Sequence, residues 1–167
     1  ISINGSKNTY HIKGGEFADP EKYLDCQNSG TTARLLTGLL AGKKINAKLI
    51  GDESLSKRPM ERIVTPLSKM GLNIKSNNGK LPILIKDSRI KGIDYKNTMS
   101  SAQVKSAVLF CGLGTTDTTR YYEPVKSRNH TEIMLKNVGF DIKYNNGKII
   151  LRNSDSMIKG LDITIPG

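Results

Sequence analysis

Four polar stretches of the sequence carry side chains suited to an anionic ligand, and the first is QNSGTTARLL at residues 27–36. Asn28, Ser29 and Thr31 offer oxygens that can cap a helix, and Gly30 allows close approach to the backbone. Arg34 lies one turn inside the predicted helix. Free backbone amides and the positive end of a helix dipole make such a helix start an anion site. An ordinary N-cap uses the same oxygens without a ligand, so the spacing leaves both interpretations open.

The second stretch, GDESLSKRPMERI at residues 51–63, places a basic pair directly before a proline. Arg58 offers a planar guanidinium that binds a carboxylate or phosphate through two hydrogen bonds, which the neighbouring Lys57 cannot do as well. A solvated loop rich in Asp, Glu and Ser is the alternative without a ligand. Pro59 is expected in the first turn of the following helix, and Pro66 is expected to kink that helix or shift its start.

The third stretch, TMSSAQVKSA at residues 98–107, is again a helix start rich in hydroxyl groups. Ser100, Ser101 and Gln103 are suited to contacts with a polyhydroxylated ligand, and Lys105 is expected to add positive charge. A capping role explains one of these side chains and leaves the others unexplained. The stretch therefore predicts a polar binding surface at the start of a helix.

The fourth stretch, VKSRNHTEIML at residues 125–135, places Arg128 ahead of another predicted helix. Ser127 or Asn129 is expected to cap that helix. His130 has the chemistry of a general base, but a surface histidine at a helix start is the interpretation that we favour.

A repeat organises the chain around these stretches. GLNIKSNNGKLPILI at residues 71–85 returns as GFDIKYNNGKIILRN at residues 139–153, and the next nine residues of each copy also align, so that 13 of 24 aligned pairs are identical. Periods of this size indicate a duplicated supersecondary unit. Asn78-Gly79 and Asn146-Gly147 each separate two extended runs and predict a tight hairpin turn.

A helix is predicted before each hairpin. In the first copy, Ile63, Leu67 and Met70 recur at the spacing of one helical face. Gly71 and Gly139 stand where the glycine that follows a helix belongs. With a strand, a helix and another strand upstream, each unit is predicted to run strand, helix, strand, helix, strand, strand.

The expected fold class is therefore α/β, with repeated βαβαββ units at approximately 13–89 and 90–157. The first residues, ISINGSKNTYHI, are predicted to form the terminal hairpin of another unit, with Asn4-Gly5 as its turn. We expect 1–167 to be one incomplete domain, a fragment of a longer protein that begins and ends within a repeat.

The composition favours a small anionic partner. The net charge is +11, from 26 Lys and Arg against 15 Asp and Glu, but the basic residues are dispersed and aromatic residues make up only 5%. A nucleic-acid-binding α/β module is the alternative, and it requires a continuous basic stripe and binding that weakens steeply with salt. A purely structural repeat protein would not need Arg58 or Gln103 at helix starts.

The remaining composition bounds the setting of the protein. The two cysteines, Cys26 and Cys111, form no C-x-x-C pair, so neither a zinc site nor a disulfide framework is predicted. The longest apolar runs fall well short of the roughly 20 residues of a membrane span. We expect a cytoplasmic protein with reduced thiols and no membrane partner.

Four strings, spread in order over nearly the whole chain, together resemble the 5-enolpyruvylshikimate-3-phosphate synthase family. They are NSGTTARLLTGLLAG, GDESLSKRPMERIVTPLSKMG, SAQVKSAVLFCGL and SRNHTEIMLKNVGF. The related transferase family that acts on UDP-N-acetylglucosamine shares the fold but lacks the first and third motifs. The resemblance implies a protein of two domains, each built from three βαβαββ units around a pseudo-threefold axis, of which this chain is most of one domain.

The resemblance also implies the reaction: the enolpyruvyl group of phosphoenolpyruvate passes to the 5-hydroxyl of shikimate 3-phosphate, phosphate is released, and a tetrahedral intermediate lies between. The family needs no metal or organic cofactor and serves aromatic amino acid biosynthesis. Both substrates carry a phosphate and a carboxylate, which suits a basic cleft. The partners implied are these two substrates and the missing second domain, without nucleic acid, in a parent protein that is monomeric.

The family motifs imply the site residues. For phosphoenolpyruvate they are Gly30, through its backbone N–H, Arg58 and Gln103. For shikimate 3-phosphate they are Ser101, Ala102, through its backbone N–H, Gln103 and Arg128. Arg34 is expected to shape the site without binding a substrate directly. Asn129 stands where the family usually has Asp; if that acid forms a salt bridge in relatives, the loop around Arg128 is expected to be looser here.

The resemblance also implies that the catalytic set is incomplete in this chain. The Lys-Ser pair that grips both substrates in the family has no counterpart in these 167 residues, and the Asp, Glu and Lys of the other domain are also missing. Those groups transfer protons and complete the phosphoenolpyruvate site. Since general acid–base catalysis supplies about 10²–10⁴-fold in rate, we predict that the fragment alone is inactive.

Overall fold

The computed structural model describes residues 2–6, 9–152, 158 and 160–164. Its elements in chain order are β1 (Ser2–Ser6), β2 (Thr9–Lys13), β3 (Leu24–Asp25), α1 (Gly30–Gly42), β4 (Ala47–Ile50), α2 (Glu53–Ser56), α3 (Glu61–Lys69), β5 (Asn73–Asn77), β6 (Lys80–Lys86), β7 (Asp94–Lys96), α4 (Ala102–Gly112), β8 (Thr119–Tyr122), α5 (His130–Asn137), β9 (Asp141–Asn145) and β10 (Lys148–Arg152).

The predicted repeating unit is confirmed. The first unit runs β3, α1, β4, α3, β5, β6 and the second runs β7, α4, β8, α5, β9, β10; only the first carries the additional short helix α2. Each unit forms a four-stranded sheet with the same order, β3-β4-β6-β5 and β7-β8-β10-β9. In both sheets the first pair is parallel and the other two pairs are antiparallel. The assignment of the chain as one incomplete domain stays a prediction.

Turn chemistry accounts for the hairpins at the end of each unit. Asn78-Gly79 joins β5 to β6 with φ angles of 49° and 73°, and Asn146-Gly147 joins β9 to β10 with 46° and 76°. These are the positive φ values of a primed turn, in which Asn and Gly are favoured. Gly71 and Gly139 follow α3 and α5 with φ of 93° and 108°, as predicted for the glycine that ends a helix.

Two local predictions are wrong. Asn4 and Gly5 lie within strand β1, opposite His11 and Tyr10 of β2, so they do not form the turn; the connection falls on residues 7 and 8, outside the described residues. A Cβ at Gly5 would lie 2.8 Å from the ring of Tyr10, so this glycine makes room for an aromatic ring across the pair.

Pro59 is not in the first turn of α3 but two residues before its first residue, Glu61. The helix starts there because the N–H groups of Met60 and Glu61 both donate to the carbonyl of Gly79, in the hairpin turn, at 2.7 and 3.2 Å. Pro66 lies inside α3, which extends on both sides of it, so Pro66 has not shifted the start of the helix.

Helices α1 and α4 pack against each other and join the two units into one core. Their backbones approach so closely that a Cβ at Gly38 would lie 2.2 Å from the carbonyl oxygen of Ala107, and one at Gly42 would lie 2.6 Å from that of Phe110. Glycine is required at such an approach. The contact places the N-termini of the two helices side by side.

The core around this helix pair is aliphatic. Strands β4 and β8 alternate buried and half-buried residues, as expected for strands with one face on the core. The face of α3 predicted from its periodicity is buried, with Ile63, Leu67 and Met70 all inaccessible to solvent. In the described part of the chain, no helix combines the length and the apolar composition that a membrane crossing requires.

Candidate functional site

The starts of α1 and α4 share one polar surface. Ser29 caps α1 and Ser101 caps α4, each accepting a hydrogen bond from the backbone N–H three residues on, at 3.1 and 3.4 Å. The side chain of Gln103 joins the two helices: its Nε2 donates to Thr31 Oγ1 at 2.7 Å, and its Oε1 accepts from Arg34 Nη1 at 2.6 Å. Two positive helix ends therefore point to one place.

The buried side chain of Arg34 supports this surface. It is only 7% exposed, and its Nη2 donates to the carbonyl of Pro59 at 3.1 Å. A Cβ at Gly30 would lie 2.9 Å from Arg34 Nη1, so the glycine gives room to this guanidinium. Burial, and then the charges of Arg62 and Arg58, lower the pKa of Arg34 from its ordinary value.

We call residues 51–60, between β4 and α3, loop A; this loop includes α2. Arg58 is exposed in loop A, and its Nη2 donates to Asn28 Oδ1 and, at 3.4 Å, to Ser54 Oγ. Asn28 in turn donates from Nδ2 to Asp52 Oδ2 at 2.8 Å. The exposed guanidinium of Arg58 is thereby tied to the residue before the cap of α1.

We call residues 123–129, between β8 and α5, loop B. The hydroxyl of Ser100 accepts from the N–H of Val125 at 3.0 Å and donates to the carbonyl of the same residue, so loop B is fastened beside the start of α4. Arg128 is exposed in this loop. The predicted caps of α5 are not formed: Asn129 takes the N-cap position without a side-chain hydrogen bond, and Ser127 donates to Glu123 at 2.6 Å.

A cavity of about 540 Å³ lies beside these helix starts. Ala102, Gln103 and Arg128, all predicted for shikimate 3-phosphate, line it together with Thr31 and His130. The exposed His130 stands at the first residue of α5, as the favoured interpretation of a surface histidine requires.

The structure thus brings the predicted residues together through three connections. The guanidinium of Arg34 bonds Gln103 and occupies the space that a Cβ at Gly30 would need. Loop A reaches α1 through Arg58 and Asn28, and Arg128 lines the same cavity as Gln103. The remaining predicted residues, Ser101 and Ala102, are the cap and first residue of α4. The binding roles of all six predicted residues stay predictions.

The prediction for Lys105 is wrong. Its ammonium does not add charge to the helix start, because the side chain is 0% exposed and lies against Glu123 and Glu132. Nothing in the spacing identified these two carboxylates as its partners. Among the described residues, no group of three or more His, Cys, Asp or Glu is arranged to hold a metal ion.

Comparison with known proteins gives consistent matches. The model of the family described as EPSP synthase (3-phosphoshikimate 1-carboxyvinyltransferase) matches residues 1–167. The 3-phosphoshikimate 1-carboxyvinyltransferase of Endomicrobium trichonymphae is 46% identical over 100% of this chain and 40% of its own length. That of Thermodesulfovibrio yellowstonii is also 46% identical, over 99% of this chain and 38% of its own length.

A solved structure agrees with these relatives. EPSP synthase from Acinetobacter baumannii superposes with a TM-score of 0.88 at 41% sequence identity, covering 96% of this chain and 37% of the other. The chain spans about 40% of the length of the curated relatives that it matches. The resemblance and the fold class predicted from the motifs are confirmed, and the chain belongs to the EPSP synthase family.

Proposed function

We propose that this chain is part of an enzyme that transfers the enolpyruvyl group of phosphoenolpyruvate to the 5-hydroxyl of shikimate 3-phosphate and releases phosphate. The family supports this, since the relatives are named 3-phosphoshikimate 1-carboxyvinyltransferase. The observation that carries the proposal is the Gln103 bridge between α1 and α4, with Arg34 Nη1 donating to Gln103 Oε1 at 2.6 Å. It joins the helix start proposed for one substrate to the helix start proposed for the other.

Shikimate 3-phosphate binds at the start of α4 in this proposal. The oxygen of Ser101 already accepts from the N–H of Val104, but its own O–H remains a donor and suits a phosphate oxygen. The N–H of Ala102, in the first turn of α4, has no intrahelical partner and provides a second donor. Arg128 supplies positive charge from loop B, and Gln103 contacts the shikimate ring.

Phosphoenolpyruvate binds between α1 and loop A. The backbone N–H of Gly30 lies at the positive end of α1, and the exposed guanidinium of Arg58 binds the anionic groups of this substrate. Gln103 reaches both substrates. The residues of this chain thus hold the 5-hydroxyl close to the enol carbon and stabilise negative charge on the leaving phosphate.

The rest of the full-length protein supplies what this chain lacks. Its second domain and the Lys-Ser pair complete both binding sites and provide the groups that move protons during addition and elimination. The proposed reaction needs no metal or organic cofactor, because the substrates themselves supply the leaving group and the acceptor hydroxyl. We propose that the chain is one incomplete domain of that two-domain transferase.

A coupled phosphate-release assay on the full-length protein that carries this segment tests the proposal. Phosphate release should require both substrates, and Arg58→Ala should lower kcat/KM roughly 10- to 150-fold, the range expected for losing hydrogen bonds to a charged group. Arg58→Lys should recover little of the loss, because lysine lacks the two-pronged geometry. The matched control is Lys57→Ala, which removes only the exposed pair with Glu53 at 2.6 Å and should change kcat/KM less than twofold.

Phosphate release that does not depend on shikimate 3-phosphate would overturn the proposal. The same assay on residues 1–167 alone should show no turnover, because the proton-transferring groups are absent. Calorimetric titration should show at most weak binding of shikimate 3-phosphate to this fragment. Turnover-competent binding of both substrates at micromolar affinity would contradict the assignment of catalysis to the missing part.

A further inference from the structure

The second unit contains a buried ammonium group that the proposed reaction does not use. The side chain of Lys105, on α4, is 0% exposed, and its Nζ lies 3.2 Å from Glu123 Oε1 and 2.7 Å from Glu132 Oε1. Glu123 is 0% exposed and Glu132 is 9% exposed in their side chains. One cation therefore meets two carboxylates inside the protein.

This network, formed by Lys105, Glu123, Glu132 and Ser127, connects three elements. Glu123 is the first residue of loop B, and its second carboxylate oxygen, Oε2, accepts from Ser127 Oγ at 2.6 Å. Glu132 belongs to α5. The ammonium thus ties α4 to both ends of the segment that carries Arg128.

The chemistry of the network argues for a geometric role. Taking charges out of water is costly, and an apolar cluster of the same shape is often as stable or more stable. Glu132 depends strongly on Lys105: neither of its carboxylate oxygens has a hydrogen-bond partner among the described residues, and the 2.7 Å approach to Nζ is a charge contact with poor hydrogen-bond angles. Separating these buried charges would leave each of them without a partner at a large cost, so the network restricts the relative position of the elements that it joins.

Two further contacts show which elements are held in register. Ser100, just before α4, bonds both backbone groups of Val125 in loop B. Ser106 on α4 and Thr131 on α5 share a hydrogen bond of 2.6 Å. Arg128 lies between these fastened points in the sequence. Its distance from Ser101 and Gln103 is therefore set by the elements around it.

We propose that Lys105 is a positioning residue for shikimate 3-phosphate, which places Arg128 and the start of α5 against Ser101 and Gln103. This inference rests on the proposed function. The first unit is built differently: Ala33 stands at the matching place in α1, four residues after the cap Ser29 as Lys105 is four after Ser101. Its buried cation is the next residue, Arg34, which bonds the carbonyl of Pro59 and the side chain of Gln103 where Lys105 meets two carboxylates.

Steady-state kinetics of Lys105→Met in the full-length protein tests the inference. Because a small misplacement of binding groups lowers efficiency by up to about 100-fold, KM for shikimate 3-phosphate should rise at least tenfold. KM for phosphoenolpyruvate, whose proposed contacts lie mainly on α1 and loop A, should change much less. A merely structural defect would reduce the active fraction, so that kcat falls and both KM values stay unchanged. The control is Lys143→Met, which removes an exposed ammonium 3.9 Å from Asp141 in the same unit.

A second variant decides the question if Lys105→Met does not fold. Ser127→Ala removes the bond to Glu123 from a half-buried position and leaves Glu123 paired with Lys105. Losing one such hydrogen bond should raise KM for shikimate 3-phosphate about 2- to 10-fold. An unchanged KM in Ser127→Ala, or in a folded Lys105→Met protein, overturns the role of Lys105. If phosphate release by the wild-type full-length protein does not depend on shikimate 3-phosphate, the proposed function is overturned, and the inference with it.

Discussion

The two units hold the same connection by different means. Loop A carries the extra helix α2. It is held by exposed polar contacts, from Arg58 to Asn28 and from Asn28 to Asp52, and by the buried guanidinium of Arg34, which donates to the carbonyl of Pro59. Loop B has no helix and is fastened by the buried ion network of Lys105 and by Ser100. The repeated architecture determines where each loop leaves its strand, but it does not determine how the loop is held.

The difference in length locates the divergence. Ser101 follows Ser29 by 72 residues, whereas Gly139 follows Gly71 by only 68 residues. The first unit therefore has four more residues between these points. The additional helix α2, Glu53–Ser56, lies in this interval. Loop A is three residues longer than loop B, and α3 is one residue longer than α5, which together account for the difference.

The difference also suggests how the two loops respond to a ligand. Exposed polar contacts are exchanged with water at little cost, whereas a buried charge cannot leave its partners without a large penalty. The exposed part of loop A around Arg58 is therefore suited to adjust around the phosphoenolpyruvate proposed to bind there, and loop B is suited to present Arg128 in one place. This difference between the loops matters for a shared site only if the contact between α1 and α4 keeps the two units in a fixed relative position.

Replacing Gly38 by alanine should disrupt that lock and have the largest effect on stability. Its Cβ would lie 2.2 Å from the carbonyl oxygen of Ala107, and backbone atoms cannot move aside without separating the helices. Overpacking of this kind costs about 1–3 kcal/mol or more in the free energy of unfolding. Denaturant unfolding of the full-length variant measures it. The control is Gly14→Ala, at a glycine where an added Cβ would have no atom within 4 Å, and equal midpoints for both variants would contradict the close helix contact.

Much of this architecture was predictable because local signals agree with it. Asn-Gly pairs, the glycines after α3 and α5 and the hydroxyl groups at helix starts act over a few residues, so the sequence displays them directly. The prediction of a turn at Asn4-Gly5 was wrong because the same dipeptide also fits a strand in which the glycine leaves room for the ring of Tyr10. The predicted start of α3 was wrong because the carbonyl that accepts hydrogen bonds from the N–H groups of Met60 and Glu61 belongs to Gly79, in the following hairpin.

The residues at the helix starts of the site were predictable from the sequence, but the buried contacts that hold them in place were not. Serine caps and Gln103 are visible in the spacing, whereas the burial of Lys105 depends on Glu123, 18 residues away, and on a carboxylate from α5. A lysine four residues into a helix resembles any solvated lysine until its partners are placed. Tertiary pairing of charges leaves no short-range periodic signal.

The two N-cap serines offer a matched test of the comparison. Ser29→Ala and Ser101→Ala should each lower the free energy of unfolding by about 1 kcal/mol, because each removes the acceptor for an orphan amide. Only Ser101→Ala should also raise KM for shikimate 3-phosphate, since its hydroxyl is proposed to donate to that phosphate. Thermal unfolding and the phosphate-release assay separate the two effects. A similar rise of this KM in both variants would mean that the helix starts do not divide the substrates as proposed.

The cysteines give the smallest expected effect and compare the packing of the two units. Burial raises the pKa of Cys111 to about 12, and burial, followed by the charge of Asp25, raises the pKa of Cys26. The thiolate is the reactive form, so a chromogenic thiol reagent at pH 8 should react with neither residue at an appreciable rate in the folded protein and with both after denaturation. Comparing Cys26→Ala and Cys111→Ala with the wild-type protein shows which of the two cysteines reacts slowly in the folded state. Any other cysteines of the full-length protein react alike in all three proteins. Since Cys26 is 4% exposed and Cys111 is 0% exposed, the slow native reaction should belong to Cys26. Faster labelling of Cys111 would mean that α4 opens more readily than the segment before α1. The second unit would then not be held more firmly than the first, despite its buried ion network.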